Sequence, residues 1–400
     1  MKYGVGIDIS KGKSTVAIVD ENKQLVEKVF EITHDVEGMI YLEKKLNKLP
    51  REEIKIVMEA TGRYHLPVYS YLLGKEYYVV ALNPYLMKKY LDQGIRKVKT
   101  DKKDAINISK YVIDKWNELK LEVRNTEEYE KLKFLSREYS SQLSIQVKQK
   151  VDFSNMCDLI FPGYSDLLTK DNYVIGLEIF KKFMDIEKIK KMSEEKFCEK
   201  VEKLISQNHK KAAMTLAHKI YSLAHHVITA QKFEGYIQNV FVKIIDNIIE
   251  TINITNIIIA QMNEIASKLP EYEEVNKMPG VGKKLSVQLI AEIGDIRKYK
   301  NAGSLIAYTG LDAPPYQSGN FEAKSRKISK RGNKYLRKIA YEAVRGIACC
   351  KNESTDLYIY MKKKESEGKK KKVAKVATEN KFLRQYYGIV KKKYRELGMM

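Results

Sequence analysis

Four cysteines in 400 residues, none at C-x-x-C spacing, leave no basis for a disulfide framework or a zinc ribbon. No secretory h-region follows Met1-Lys2-Tyr3, so a reducing compartment is expected. Long apolar runs are also missing. The most apolar stretch, Ile244 to Met262, is broken by Asp246, Asn247, Glu250, Asn253 and Asn256, which makes a bilayer span too costly. Acids are scarce beside bases: 51 Asp and Glu stand against 73 Lys and Arg, a formal charge of +22. Such an excess repels itself unless a polyanion is the working partner, and acidic small-molecule chemistry alone would not call for it. With 44% hydrophobic residues the chain is not a disordered protein, and its length exceeds one small module.

The charge is uneven. From Glu322 to Met400 there are 24 Lys/Arg against 8 Asp/Glu, so about +16 of the +22 sits in the last fifth of the chain. A solvated lysine face is the plain reading of a run such as Lys369 to Lys372. Interleaved Tyr335, Tyr341, Tyr358, Tyr360, Tyr386, Tyr387 and Tyr394 suggest more, since tyrosines can stack on bases while lysines neutralise phosphates.

Along the first hundred residues the patterns predict strands at Tyr3 to Ile9, Ser14 to Val19 and Leu25 to Thr33, with a hairpin at Ser10 to Lys13. A helix over Val36 to Leu49, a strand at Ile54 to Met58, a helix at Leu66 to Leu73 and a strand at Tyr78 to Leu82 follow. This is the order of an RNase H-like α/β domain. A Rossmann domain fits less well, because no G-x-G-x-x-G follows the first strand. From Asp104 to about Leu269 the pattern is helical, interrupted by Phe161-Pro162-Gly163, with a second long helix from about Ile237 to Ser267. These helices could pair within the chain or between copies, and the apolar spacing from Asn125 to Lys150 is loose for a coiled coil.

Asp8 stands in the apolar strand G-V-G-I-D-I-S, where a lone charge is expensive unless a cation or partner offsets it. Glu59 ends the next apolar strand in V-M-E-A-T-G. In K-T-D-K-K-D-A, Asp101 and Asp104 are three apart at a helix start and so share a face. Each alone has an ordinary explanation, Asp101 as a helix cap and Glu59 as a surface acid. Together, at the strand ends of one small fold, the four could hold two Mg2+ ions about 4 Å apart, the arrangement that phosphodiester chemistry uses to activate a nucleophile and steady a leaving oxygen. Lys88, Lys89, Arg96, Lys97, Lys99, Lys102 and Lys103 surround the last pair, as an approaching phosphate backbone requires.

Between two later helical patterns lies M-P-G-V-G-K-K, residues 278–284. It reads as a helix-hairpin-helix, in which Gly280 and Gly282 let backbone N–H groups reach a phosphate and Lys283 and Lys284 add charge, or as a plain helix-terminating turn. A loop-like stretch carries Ser318 beside Gly319, a common turn pair. Ten residues on, I-S-K-R-G-N-K-Y-L-R supplies Lys330, Arg331, Lys334 and Arg337. A serine near such cations can attack a phosphate if a base takes its proton, and no histidine lies nearby in sequence. Ser325 and Ser329 are rivals.

Taken in order, G-I-D-I-S, M-E-A-T-G, K-T-D-K-K-D-A, a helical middle, M-P-G-V-G, Y-T-G-L-D-A-P-P-Y-Q-S-G and I-S-K-R-G-N-K-Y-L-R resemble the DEDD transposases of the insertion-sequence one-ten family, from Val5 to about Ala348. The resemblance implies a RuvC-like nuclease domain over residues 1–115 with its tetrad on Asp8, Glu59, Asp101 and Asp104. It further implies a helical coiled-coil region over 116–270 and a mainly helical transposase domain over 271–350 with Ser318 as nucleophile. Residues 351–400 would be a basic extension. Members of that family look like recombinases that cut and rejoin DNA through a 5′-phosphoserine link, as homo-oligomers with composite sites, guided by a structured bridge RNA. Where many relatives carry two small residues and a second glycine after the serine, this chain has Ser318-Gly319-Asn320 followed by Phe321. A junction-resolving nuclease that uses water at the same metals, and a non-catalytic nucleic-acid binder, are the competing expectations.

Overall fold

The computed structural model describes residues 1–60, 62–82, 84–91, 100–121, 126–205, 209–230, 235–314, 317–318, 321–322, 327–351 and 353–400. The chain divides into two units, Met1–Arg124 and Asn125–Met400. Among the described residues no helix is long and apolar enough to cross a membrane, and the four cysteines are free thiols.

The first unit is a five-stranded mixed sheet with helices on both faces. Strands β1 (Tyr3–Ile9) and β2 (Lys13–Val19) form the expected hairpin, closed by the Ser10 N–H donating to the Lys13 carbonyl at 3.0 Å. Next come β3 (Phe30–Thr33), α1 (Val36–Leu46), β4 (Ile54–Glu59), α2 (Leu66–Gly74), β5 (Val79–Leu82), α3 (Pro84–Leu91) and α4 (Asp101–Asp114). The strand order is β3-β2-β1-β4-β5, with β1, β4 and β5 mutually parallel. The third strand is shorter than the pattern suggested. Leu25 makes only an isolated bridge to Val19, and Leu25 and Val26 are exposed, so the apolar residues before Phe30 belong to the connection.

Alternation decides the two faces. Val5, Ile7, Ile56, Met58 and Val79 pack with Met39, Leu42, Val68 and Leu72 of α1 and α2. Val57, Val80 and Leu82 point the other way, against Met87 of α3 and Ile108 and Val112 of α4. Asp35 starts α1 by accepting the Gly38 N–H at 2.8 Å.

Among its described residues the second unit is helical apart from one short hairpin. Helices α5 (Glu127–Ile160) and α10 (Tyr236–Ala266) run alongside each other and span two cores. One core joins Phe153 and Ile160 of α5 and Ile245 and Ile248 of α10 to α6 (Tyr173–Lys182), α7 (Ile186–Lys190), α8 (Glu194–Glu202) and α9 (Lys210–His226). The other joins Leu132 of α5 and Met262 of α10 to α11 (Tyr272–Asn276), α12 (Lys283–Ile293), α13 (Ala302–Thr309), α14 (Lys334–Cys350), α15 (Asp356–Ser366) and α16 (Lys371–Glu396).

The basic tail is therefore part of a core, and four of its tyrosines are not available to stack on bases. Tyr358, Tyr386, Tyr387 and Tyr394 are buried, because α15 and α16 are amphipathic and turn their aromatic side inward while the lysines stay in water. Tyr394 donates to Glu271 at 3.0 Å and lies 2.7 Å from the Tyr129 hydroxyl, which itself donates to Glu271 at 2.5 Å. Burial raises the Glu271 carboxyl above its ordinary range, and the two hydroxyls oppose that rise.

Candidate active site

Two glycines bring α4 onto the sheet. A Cβ at Gly6 would lie 2.2 Å from the Ser109 nitrogen and 2.3 Å from the Ala105 oxygen, and one at Gly4 would lie 2.5 Å from the Ser109 oxygen. Only bare backbone permits that approach. Gly4 faces Ser109 and Ile113 whereas Gly6 faces Ala105 and Ser109, so α4 runs back toward its N-terminus as β1 runs forward. Gly4, Gly6 and Asp8 share one face of β1 by alternation. Two residues of strand advance about 6.6 Å and four residues of helix about 6 Å, so the next step carries Asp8 to the first turn of α4, which bears Asp101 and Asp104.

Glu59 reaches the same end from the neighbouring strand. The parallel register pairs Gly6 with Val57 and Ile7 with Met58, and its continuation sets Asp8 beside Glu59. Val57 packs against Ile108 and Val112, so Glu59, two residues on, is also on the α4 face. Asp8, Glu59 and Asp104 are half-buried and Asp101 is exposed. Thr100 caps α4 by accepting the Lys103 N–H at 3.3 Å, and Lys102 and Lys103 stand exposed on the same turn. Lys99, like Arg96 and Lys97, lies outside the described residues.

Among the described residues no three His, Cys, Asp or Glu side chains close into a metal cage. A Mg2+ ion does not need one, because it keeps several waters and takes one or two carboxylates beside substrate phosphates. Asp8, Glu59, Asp101 and Asp104 offer only hard oxygen donors, which suits that ion. Just beyond β4, His65 has a buried Nδ1 without a partner, and burial lowers its pKa, so the ring is neutral near pH 7. Sequence reading passed over it.

In the second unit, the expected loop around Ser318 contains a hairpin of β6 (Gln317–Ser318) and β7 (Phe321–Glu322), with Ser318 opposite Phe321. Ser325 lies outside the described residues. Ser329 donates to the Asp312 carboxylate at 2.5 Å, and its N–H donates to the Asp312 carbonyl at 2.7 Å. Lys330 and Asn333 continue this clasp through their N–H groups to Gly310 and Tyr308. Gly332 is required there, since a Cβ would meet the Tyr308 oxygen at 2.3 Å.

Beneath the clasp is a network that the sequence did not announce. Buried Glu292 accepts from Arg137 at 2.8 Å, from Asn333 Nδ2 at 2.7 Å and from Ser136 at 3.1 Å. Asn333 also caps α14 by accepting from Tyr335 and Leu336, and that capping position before an apolar helix was the readable signal. The Arg137 guanidinium lies 3.6 Å from the centre of the Tyr335 ring. Arg337 donates to the Thr309 carbonyl at 2.9 Å, while Lys330, Arg331 and Lys334 are exposed around the clasp.

The M-P-G-V-G turn does join two helices, α11 and α12. Gly280 has φ +73°, and a Cβ there would strike the Ala343 oxygen of α14 at 2.4 Å, so its glycine is demanded by packing. Gly282 is exposed with open space around it, and it precedes exposed Lys283 and Lys284 at the start of α12.

A family model described as a transposase, DEDD_Tnp_IS110, matches residues 5–162, and one described as the transposase IS116/IS110/IS902 family matches residues 272–359. Together they cover more than half of the chain. The transposase for insertion sequence element IS1111A of Coxiella burnetii is 30% identical over 96 residues, 24% of this chain and 26% of that protein. The insertion element IS116 uncharacterized 44.8 kDa protein of Streptomyces clavuligerus is 32% identical over 96 residues, 24% of this chain and 23% of that protein. The matched stretch thus spans about a quarter of each relative. Two models of one transposase group, matched in succession along the chain and together covering more than half of it, place this chain in the IS110 family of transposases.

Proposed function

We propose that the chain is a Mg2+-dependent DNA recombinase of a mobile element, whose first unit is an RNase H-like, RuvC-like nuclease. What supports this reading is that Asp8 and Glu59 stand at the carboxyl ends of adjacent parallel strands, on the sheet face that α4 covers. The strand order β3-β2-β1-β4-β5 supports the same fold. Asp8, Glu59, Asp101 and Asp104 would hold the ions, which when bound supply Lewis-acid stabilisation of a phosphodiester under attack. Lys102 and Lys103 attract the incoming backbone.

Ser318 is the proposed nucleophile. Its Oγ bonds to the phosphorus, the P–O3′ bond breaks, and a free 3′ hydroxyl and a 5′-phosphoserine result; attack by another 3′ hydroxyl rejoins the strand and releases the serine. Lys330, Arg331 and Lys334 stabilise charge on the phosphate. The serine proton must pass to a base as the bond to phosphorus forms. Exposed Ile145, Val147 and Val151 on α5 support assembly as a homo-oligomer, and the residual charge supports a structured guide RNA as second partner, both in the bacterial cytoplasm.

The test is Asp8→Asn in the full chain. Divalent-dependent strand cleavage of the element's own ends is lost while thermal unfolding stays near that of the parent. Cleavage at the parental rate would exclude the carboxylate site.

A further inference from the structure

The two family matches leave residues 163–271 between them. That stretch supplies most of a separate core, with Phe180, Phe197, Val201 and Ile220 fully or nearly fully buried. Against it opens a cleft of about 800 Å3 whose walls carry six lysines: Lys181, Lys182, Lys188, Lys191, Lys200 and Lys203. They come from the last turn of α6, from α7 and the residue after it, and from the last turn of α8 and the residue after it.

The bland explanation is that lysines gather where helices end, because each helix C-terminus carries roughly half a negative charge. The charges do not balance on that account. Lys181 is paired with Asp246 at 2.7 Å and Glu178 at 3.1 Å, and Lys188 faces Asp185 at 3.7 Å. Lys182, Lys191, Lys200 and Lys203 are exposed and have no carboxylate partner among the described residues. With the three acids and three helix ends set against the six lysines, positive charge remains.

We infer that this cleft binds the phosphate backbone of a nucleic acid, as a site separate from the carboxylates and the serine hairpin. The chemistry distinguishes it from a pocket for one small anion. Among its described lining residues there is no arginine to fork onto a single phosphate, and its six ammonium groups come from three separate helices, as contact with repeated phosphates allows. Among its described lining residues the one aromatic, Phe183, is buried and offers no base platform. Contact is therefore with the backbone and indifferent to sequence.

The test measures binding of the full chain to a duplex DNA and to a hairpin RNA of matched length, without divalent ions, over a series of salt concentrations. The variant replaces Lys182, Lys191, Lys200 and Lys203 by alanine. The control replaces Lys196, Lys211, Lys219 and Lys243, exposed lysines outside the cleft, with the same change of net charge. On duplex DNA each lost lysine–phosphate contact lowers the slope of log K against log salt by about 0.9, so the cleft variant falls by about 3 to 4, with at least about a tenfold loss of affinity at low salt. The nucleic acid that suffers the larger loss is the one the cleft holds. If the slope matches that of the parent or of the control on both nucleic acids, the cleft is not a binding site. Should the quadruple variant unfold, Lys200→Gln with Lys203→Gln gives about half the change in slope, and no change in that pair is equally fatal. Because cleavage is not read, failure here leaves the carboxylate site untouched.

Discussion

Replacing Gly6 by alanine tests how the carboxylates are brought together without altering any of them. The added Cβ would sit 2.2 Å from the Ser109 nitrogen and 2.3 Å from the Ala105 oxygen, and ordinary contact begins at 3.4 Å, so α4 must retreat by about 1 Å. Both clashing atoms are backbone within a helix, so no side-chain rotation relieves them. Overpacking of this kind costs about 1–3 kcal/mol, and the upper end applies where the backbone itself must yield. For a unit of this size, about 3 kcal/mol lowers the melting temperature by roughly 10 °C. The same 1 Å separates Asp101 and Asp104 from Asp8 and Glu59, and a displacement of that order costs about 100-fold in rate. Circular dichroism melting of the full chain and divalent-dependent strand cleavage read the two effects. Gly388→Ala is the control: nothing lies within 4 Å of its Cβ in α16, and a helical glycine so replaced gains about 0.5–1 kcal/mol. Parental melting and cleavage in Gly6→Ala would refute the close docking of α4 and the site built on it.

Ser318→Ala abolishes covalent protein–DNA adducts, whereas Ser329→Ala keeps them and loses about 1.5–3 kcal/mol with its bond to Asp312; denaturing gels of trapped complexes decide, and the opposite pattern moves the nucleophile to Ser329. Arg137→Ala leaves the buried Glu292 carboxylate without its cation and costs about 3–5 kcal/mol, seen as a lower urea midpoint by far-ultraviolet circular dichroism; an unchanged midpoint contradicts the network. Glu379, buried on α16, has its carboxyl pushed up to about 8 by burial, with Arg337 pulling the other way. Its folded pKa exceeds the unfolded one, so the folded state holds the proton longer, and stability declines from about pH 4.5 to pH 8 by a few kcal/mol. Glu379→Gln removes that decline and is the more stable form at pH 8; parallel pH profiles for the two proteins would exclude it.

The two glycine positions show how closely function and packing are joined here. Gly6 serves the candidate site only by letting α4 lie flat, and Gly280, expected at a phosphate, is a glycine because α14 crosses it. Both conclusions depend on which backbone lies opposite, and that is long-range information. The tyrosines of the tail teach the same lesson. Spacing cannot say whether an aromatic on an amphipathic helix faces a core or a nucleic acid until the helix has a partner, and α15 and α16 find theirs in α13 and α14.

Local periodicity and motif order were enough to predict strands β1, β2, β4 and β5 and helices α1 and α2 of the first unit, the long helices of the second, the helices on either side of M-P-G-V-G and the family itself, because each is written in neighbouring residues. Tertiary structure alone decided that Ile7 and Met58, the residues before Asp8 and Glu59, pair in parallel, that Glu292 collects Arg137, Ser136 and Asn333 from three segments, and that lysines from three short helices share one cleft. A side chain's partners across a sheet or between helices are set by the whole chain's packing, which no window of sequence contains.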